Sequence, residues 1–135
     1  MVEQFFRNLL GHVAKVHSVV AGNTPTRFVL KAKLELTGRL EEHLSEISAF
    51  EAGLRARLAE QFGHKPDRNR GVRLTVNHQP SWGGIVVTLS ASRTHVEEAA
   101  LASFTEQVQA AANLLRAHPS WTDGGTRGRG RPVAE

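Results

Sequence analysis

The stretch that decides the fold is residues 28–37, FVLKAKLELT, in which apolar and polar side chains alternate strictly. One side of an extended chain would carry the apolar set, which is Phe28, Leu30, Ala32, Leu34 and Leu36. The other side would carry Val29, Lys31, Lys33, Glu35 and Thr37. Because successive side chains of a β-strand point to opposite faces, this period of two predicts a strand that is buried on one face only.

Two helices and a hairpin are predicted after this strand. Residues 39–62 and residues 95–117 place apolar side chains at helical spacing, and the first of these helices ends at Gly63. Between them, residues 72–77 and 85–92 again alternate with a period of two, which predicts a β-hairpin. Two helices can cover only one face of such a sheet, so its other face is expected to be open and polar.

The N-terminal stretch allows two interpretations. Apolar residues recur at steps of four and three over residues 2–21, which predicts a helix. The second half, residues 13–21, is rich in β-branched residues and could instead form a strand. The stripe could pack on the chain's own sheet or on a second copy. We assign it to an oligomer interface in an expected homodimer, with these interface residues: Val2, Phe6, Leu9, Val13 and Val16.

The expected fold is α+β, a two-layer sandwich with a small antiparallel or mixed sheet. The element order is α-β-α-β-β-α, or β-β-α-β-β-α if residues 13–21 pair as a strand. Two long helices lie on one face, and an extra helix stands at the N-terminus. Residues 1–121 form a single domain. Residues 122–135, TDGGTRGRGRPVAE, bear almost no apolar side chain and predict a flexible tail rich in Arg and Gly.

Composition and motifs disfavour several classes of protein. The 135 residues include no cysteine, which excludes disulfides, iron–sulfur clusters and thiolate zinc sites. No apolar run approaches the ~20 residues that span a bilayer, and the first residues do not resemble a signal peptide, so we expect a cytoplasmic protein without membrane contact. The seven histidines include no HxxxH or HExxH pair, and the chain has no P-loop, GxGxxG or GxSxG motif. We therefore expect no enzyme activity, no cofactor and no metal site.

The charges point toward a polyanionic partner. Lys and Arg number 17 against 13 Asp and Glu, which gives a net charge of +4. Cations cluster in the loop before the hairpin, and two more lie on the polar side of residues 28–37. We expect these side chains to contact phosphates: Lys65, Arg68, Arg70, Arg73, Lys31 and Lys33. The alternative is that the loop is merely a solvated connection.

The tail contains Arg129-Gly130-Arg131-Pro132, which resembles the core of an AT-hook. The resemblance covers four residues, and Arg127-Gly128 precede them. It implies binding in the narrow minor groove of A·T-rich DNA, with Arg127, Arg129 and Arg131 as the contacting side chains. An Arg/Gly segment could also bind RNA. No aromatic residue is expected on the open sheet face, because Trp82 falls in the adjacent loop, and this argues against a base-stacking platform.

Together these patterns predict a small, non-catalytic accessory protein that binds nucleic acid, with DNA favoured over RNA. The alternative is a homo-oligomeric assembly or adaptor module that binds another protein.

Overall fold

The computed structural model describes residues 2–62, 72–93 and 96–121, and these form one α+β fold. Its elements are α1 (Val2–Leu10), β1 (Val13–Asn23), β2 (Arg27–Leu36), a 3-10 helix (Leu40–Glu42), α2 (Leu44–Phe62), β3 (Val72–Gln79), β4 (Gly84–Ser92) and α3 (Glu98–Arg116). The predicted α+β class is confirmed. Among the helices of these ranges, none is long and apolar enough to cross a membrane.

The four strands form a single antiparallel sheet in the order β1-β2-β4-β3. Each hairpin contributes one inner and one outer strand, and the inner strands β2 and β4 pair with each other along their whole length. The stretch FVLKAKLELT lies almost entirely in the inner strand β2. The sheet is therefore antiparallel rather than mixed.

All the helices of the described ranges cover one face of this sheet. α3 contacts β1 and β2, α2 contacts β3, and α1 lies against both α2 and α3. The core between the layers is apolar, and its largest fully buried side chains include Phe6, Phe104, Leu30, Leu34, Ile85 and Leu89. The apolar and polar residues of β2 face the predicted sides of the sheet. Leu30, Ala32 and Leu34 are fully buried, while Lys31 and Lys33 are exposed.

The N-terminal helix is shorter than the first interpretation predicted. It ends at Leu10, and residues 13–23 form β1, as the β-branched composition suggested. The pairing of β1 with β2 is shifted between Val13 and Lys15 and again between Val16 and Ser18. Each shift inserts an extra residue, so the buried positions Val13, Val16 and Val19 recur every three residues. Because of these two bulges, the buried residues of β1 have a spacing that is typical of a helix.

The five residues assigned to an oligomer interface lie inside the chain's own core. All five are buried without any second copy. Val2, Phe6 and Leu9 are fully inaccessible, and Val13 and Val16 are 6% and 3% exposed. Their apolar stripe spans a helix and a strand that both face the core. In this fold they cannot also contact a partner, so that assignment is corrected. A homodimer remains a prediction that would need another surface.

Both outer strands have backbone groups bonded by side chains of the same chain. On β1, the Val16 N–H donates to the Ser120 hydroxyl over 2.9 Å, and Arg116 donates to the Val19 carbonyl over 3.5 Å. On β3, Arg55 donates to the Leu74 carbonyl over 3.0 Å. Unpaired strand edges invite pairing with other chains, and these contacts occupy part of each edge.

The turn between β3 and β4 folds Trp82 back over the sheet. Gly83 has φ +69°, which glycine adopts without strain. Gly84 pairs with Glu35, and a β-carbon at Gly84 would overlap the Trp82 ring and crowd the Leu34 carbonyl oxygen. The Trp82 ring thus occupies the space that a side chain at residue 84 would need.

We predict that Gly84→Ala lowers the free energy of unfolding by about 1–3 kcal/mol, because the added carbon must displace both an aromatic ring and a backbone oxygen. Chemical denaturation monitored by circular dichroism measures this. Gly53→Ala is the control, since a β-carbon there meets nothing within 4 Å. Because Gly53 lies inside a helix, Gly53→Ala should instead raise the free energy of unfolding by up to ~1 kcal/mol. Equal stability of the two variants would contradict the placement of Trp82.

Candidate nucleic-acid interface

The open face of the sheet carries nearly uniform positive charge. We use this name for the face of β1–β4 turned away from the helices. Among the described strand residues, its cations are Lys15, Lys31, Lys33, Arg27 and Arg73. Glu35 is the one carboxylate among these strand positions. The face is therefore a basic surface on a rigid platform.

The helix layer has the opposite balance of charge. The described helices and their N-caps carry nine glutamates against five arginines. Several of these charges are paired within the layer, as in Glu3 with Arg7 at 2.7 Å and Glu51 with Arg55 at 2.6 Å. The described chain therefore has a basic side and an acidic side, separated by the core.

Three of the predicted phosphate contacts lie together on the open face. Lys31, Lys33 and Arg73 are all exposed. Lys31 of β2 lies opposite Thr88 of β4, and Arg73 of β3 lies opposite Ser90, two residues further along β4. None of the three cations forms an ion pair with any residue of ranges 2–62, 72–93 and 96–121. Their charges are thus available to an external anion.

Arginine side chains also lie at the end of the open face where β1 turns into β2. Arg27 donates to the hydroxyl of Ser90, which is buried, over 3.1 Å. Arg93, just beyond β4, donates to the Asn23 side-chain oxygen. These contacts hold the two guanidinium groups in place at this end of the sheet.

The opposite end of the open face carries an aromatic and acid–base cluster. His17 lies within 2.8 Å of the Glu35 carboxylate, and the Trp82 ring meets the His17 ring edge-on at 5.5 Å between centroids. Trp82 is half-buried and covers Gly84. The prediction that this face lacks an aromatic residue is therefore wrong. The pair Gly83-Gly84 after Trp82 was the available signal, because a glycine in a strand marks a close approach.

Six of the predicted contact residues lie outside the described ranges. They are Lys65, Arg68 and Arg70 of the basic loop, and Arg127, Arg129 and Arg131 of the tail. The tail boundary at residue 122 and the AT-hook resemblance fall outside them too. Of the predicted contact residues, the described ranges contain Lys31, Lys33 and Arg73, all on the open face.

A groove between α1 and α2 offers little to a small-molecule substrate. Its volume is about 170 Å³, below the range of roughly 300–1,000 Å³ that is usual for ligand pockets. Phe5, Phe50 and Leu54 line it together with one charged side chain, that of Arg57. This lining brings no acid–base pair together, so the groove has no groups for proton transfer.

Comparisons with known proteins return nothing for this chain: no family model, no curated protein and no solved structure matches it.

Proposed function

We propose that this protein binds nucleic acid across the open face of its sheet, as a non-catalytic accessory protein. The observation that carries the proposal is the separation of charge, with five cations and one carboxylate on the strand positions of the open face. Cations that contact phosphates release condensed counterions, which favours binding to a polyanion without any base contact. Lys31, Lys33 and Arg73 would make the phosphate contacts, because they are exposed and unpaired within the described ranges.

Charge repulsion disfavours the alternative of a homodimer through the same face. A two-fold interface would place each cation of one copy against the equivalent surface of the other copy. Like charges would then meet, which opposes association. One observation does favour protein contact here, since Val20 on this face is 60% exposed. Analytical ultracentrifugation of the unmodified chain and of Val20→Lys tests for a dimer through this face. If both sediment as monomers, a dimer that depends on Val20 is excluded.

The Trp82 end of the face adds a contact for bases. Base stacking on an aromatic ring contributes about 1–3 kcal/mol per base and tolerates any sequence. In a duplex the bases are already stacked on each other, so a surface ring can reach them only in single strands or unpaired ends. The sheet face therefore favours single-stranded nucleic acid, whereas the tail's AT-hook resemblance favours A·T-rich duplex DNA.

We predict that Lys31→Gln and Arg73→Gln each weaken binding to a fluorescent single-stranded oligonucleotide. Each should also reduce the slope of log K against log [salt] by roughly 0.7, the effect of one lost phosphate contact. Fluorescence anisotropy titrations at several salt concentrations measure both quantities. Arg57→Gln, a matched change in the acidic helix layer, should leave the slope unchanged.

A change of the opposite sign completes this test. Glu35→Gln removes the carboxylate of the open face, so it should strengthen binding to the same oligonucleotide. If Arg57→Gln weakens binding as much as Lys31→Gln, the open face is not the interface. If no oligonucleotide binds at low salt, the proposed function is wrong.

Trp82→Leu should weaken single-strand binding by about 1–3 kcal/mol and leave duplex binding nearly unchanged, because only unpaired bases reach the ring. The control is Trp121→Phe, which alters the other tryptophan and should not change affinity. In that control Trp82 is the remaining tryptophan, so quenching of its fluorescence on oligonucleotide binding reports contact directly. An unquenched spectrum at saturation would contradict stacking.

Removal of residues 122–135 tests the tail separately. We predict that the shortened chain binds A·T-rich duplex DNA more weakly, loses any preference over G·C-rich duplex and keeps its melting temperature. Anisotropy titrations with the two duplexes and a thermal melt measure this. Equal duplex affinity with and without the tail would remove the Arg127, Arg129 and Arg131 contacts from the proposal.

A further inference from the structure

Three metal-binding side chains from separate parts of the chain meet beside the start of α2. His12 lies in the turn between α1 and β1, His43 directly follows the 3-10 helix, and Glu46 is in the first turn of α2. One donor atom from each lies within 4.8 Å of the other two. We propose that His12, His43 and Glu46 form a binding site for one divalent transition-metal ion, for which Zn²⁺ is the best match.

The separation of His12 and Glu46 is already the one that a tetrahedral ion requires. Zinc bonds to nitrogen and carboxylate oxygen measure about 2.0–2.2 Å, so two ligand atoms of one tetrahedral ion lie roughly 3.3–3.6 Å apart. His12 Nε2 and Glu46 Oε2 are 3.5 Å apart. The two imidazole centroids are 5.0 Å apart. All three donor atoms lie within 4.8 Å of one another, and the Glu46 side chain is 57% exposed, which gives it room to adjust toward an ion.

Thr37 holds both histidine segments through its own backbone. The His43 Nε2 lies 2.5 Å from the Thr37 carbonyl oxygen, which can only accept, so this nitrogen is the protonated one. The other ring nitrogen, Nδ1, then keeps its lone pair. The Thr37 N–H donates to the His12 carbonyl oxygen over 2.8 Å. A backbone carbonyl that fixes the ring of a ligating histidine is a common support of metal sites.

The donor set selects the class of ion. Two imidazoles and one carboxylate suit Zn²⁺ and its neighbours in the first transition row. Mg²⁺ and Ca²⁺ prefer sites built from oxygen donors, so they fit poorly. The His12 side chain is 23% exposed, so solvent reaches the cluster and can supply a fourth ligand.

Bound metal would join the α1–β1 turn to the first turn of α2. An ion that binds the folded chain and not the unfolded one raises the melting temperature. The sequence prediction of no metal site relied on the absence of HxxxH and HExxH. His12 and His43 are far apart in sequence, so only the fold brings them together. The local signal was His43 and Glu46, three residues apart at the start of a helix.

Calorimetric titration of the full chain, first freed of metal with a chelator, tests the site. We expect one Zn²⁺ per chain and a higher melting temperature with Zn²⁺. Glu46→Gln and His43→Ala should each weaken Zn²⁺ binding at least tenfold, since loss of even an outer partner of a ligand costs that much. Glu46 is exposed, so its variant keeps the fold even if His43→Ala does not. Co²⁺ in place of Zn²⁺ should show visible absorption bands that Glu46→Gln alters.

His17→Ala is the matched control. His17 pairs with Glu35 at 2.8 Å, but no third metal-binding side chain joins that pair within the described ranges. His17→Ala should therefore leave the affinity for Zn²⁺ unchanged. The proposal is overturned if Zn²⁺ does not bind, if binding survives Glu46→Gln and His43→Ala undiminished, or if Mg²⁺ binds as tightly as Zn²⁺.

Discussion

The helices of the described chain all pack on one face of the sheet, and this arrangement determines what every strand must carry. A side chain toward the helices is buried, and a side chain away from them meets solvent. A shift of β2 by one residue would exchange the two sets, so that Leu30 and Leu34 would face solvent and Lys31 and Lys33 would face the core. Burial of unpaired ammonium groups costs several kcal/mol each. The lysines thus fix the register of β2 as firmly as the leucines do.

The same constraint separates the charges. Because the core occupies only one side of the sheet, polar residues of the strands collect on the open face, and polar residues of the helices collect on the far side of the helix layer. The strands carry mostly cations and the helices mostly glutamates. The cations of the open face therefore lie on paired strands of the sheet rather than on a loop.

Period-two alternation was enough to predict β2, β3 and β4, because a strand that is buried on one face alternates apolar and polar residues. Helical spacing of apolar residues likewise predicted α2 and α3. β1 was ambiguous, since its two bulges spaced Val13, Val16 and Val19 like a helix. The candidate sites, on the open face and at the histidine cluster, were harder to predict. Lys31, Lys33 and Arg73 followed from alternation, but Trp82 reaches the open face through a turn. His12 and His43 meet only through tertiary contacts, which no local pattern records.

The bond from the Val16 N–H to Ser120 spans 104 residues. A ribosome adds about 5–20 residues per second, so β1 emerges roughly 5–20 seconds before its partner exists. During that interval the outer edge of β1 lacks Ser120 and Arg116, and its backbone groups can pair with another nascent chain. The outer edge of β1 is therefore covered only after the chain has been synthesised through residue 120.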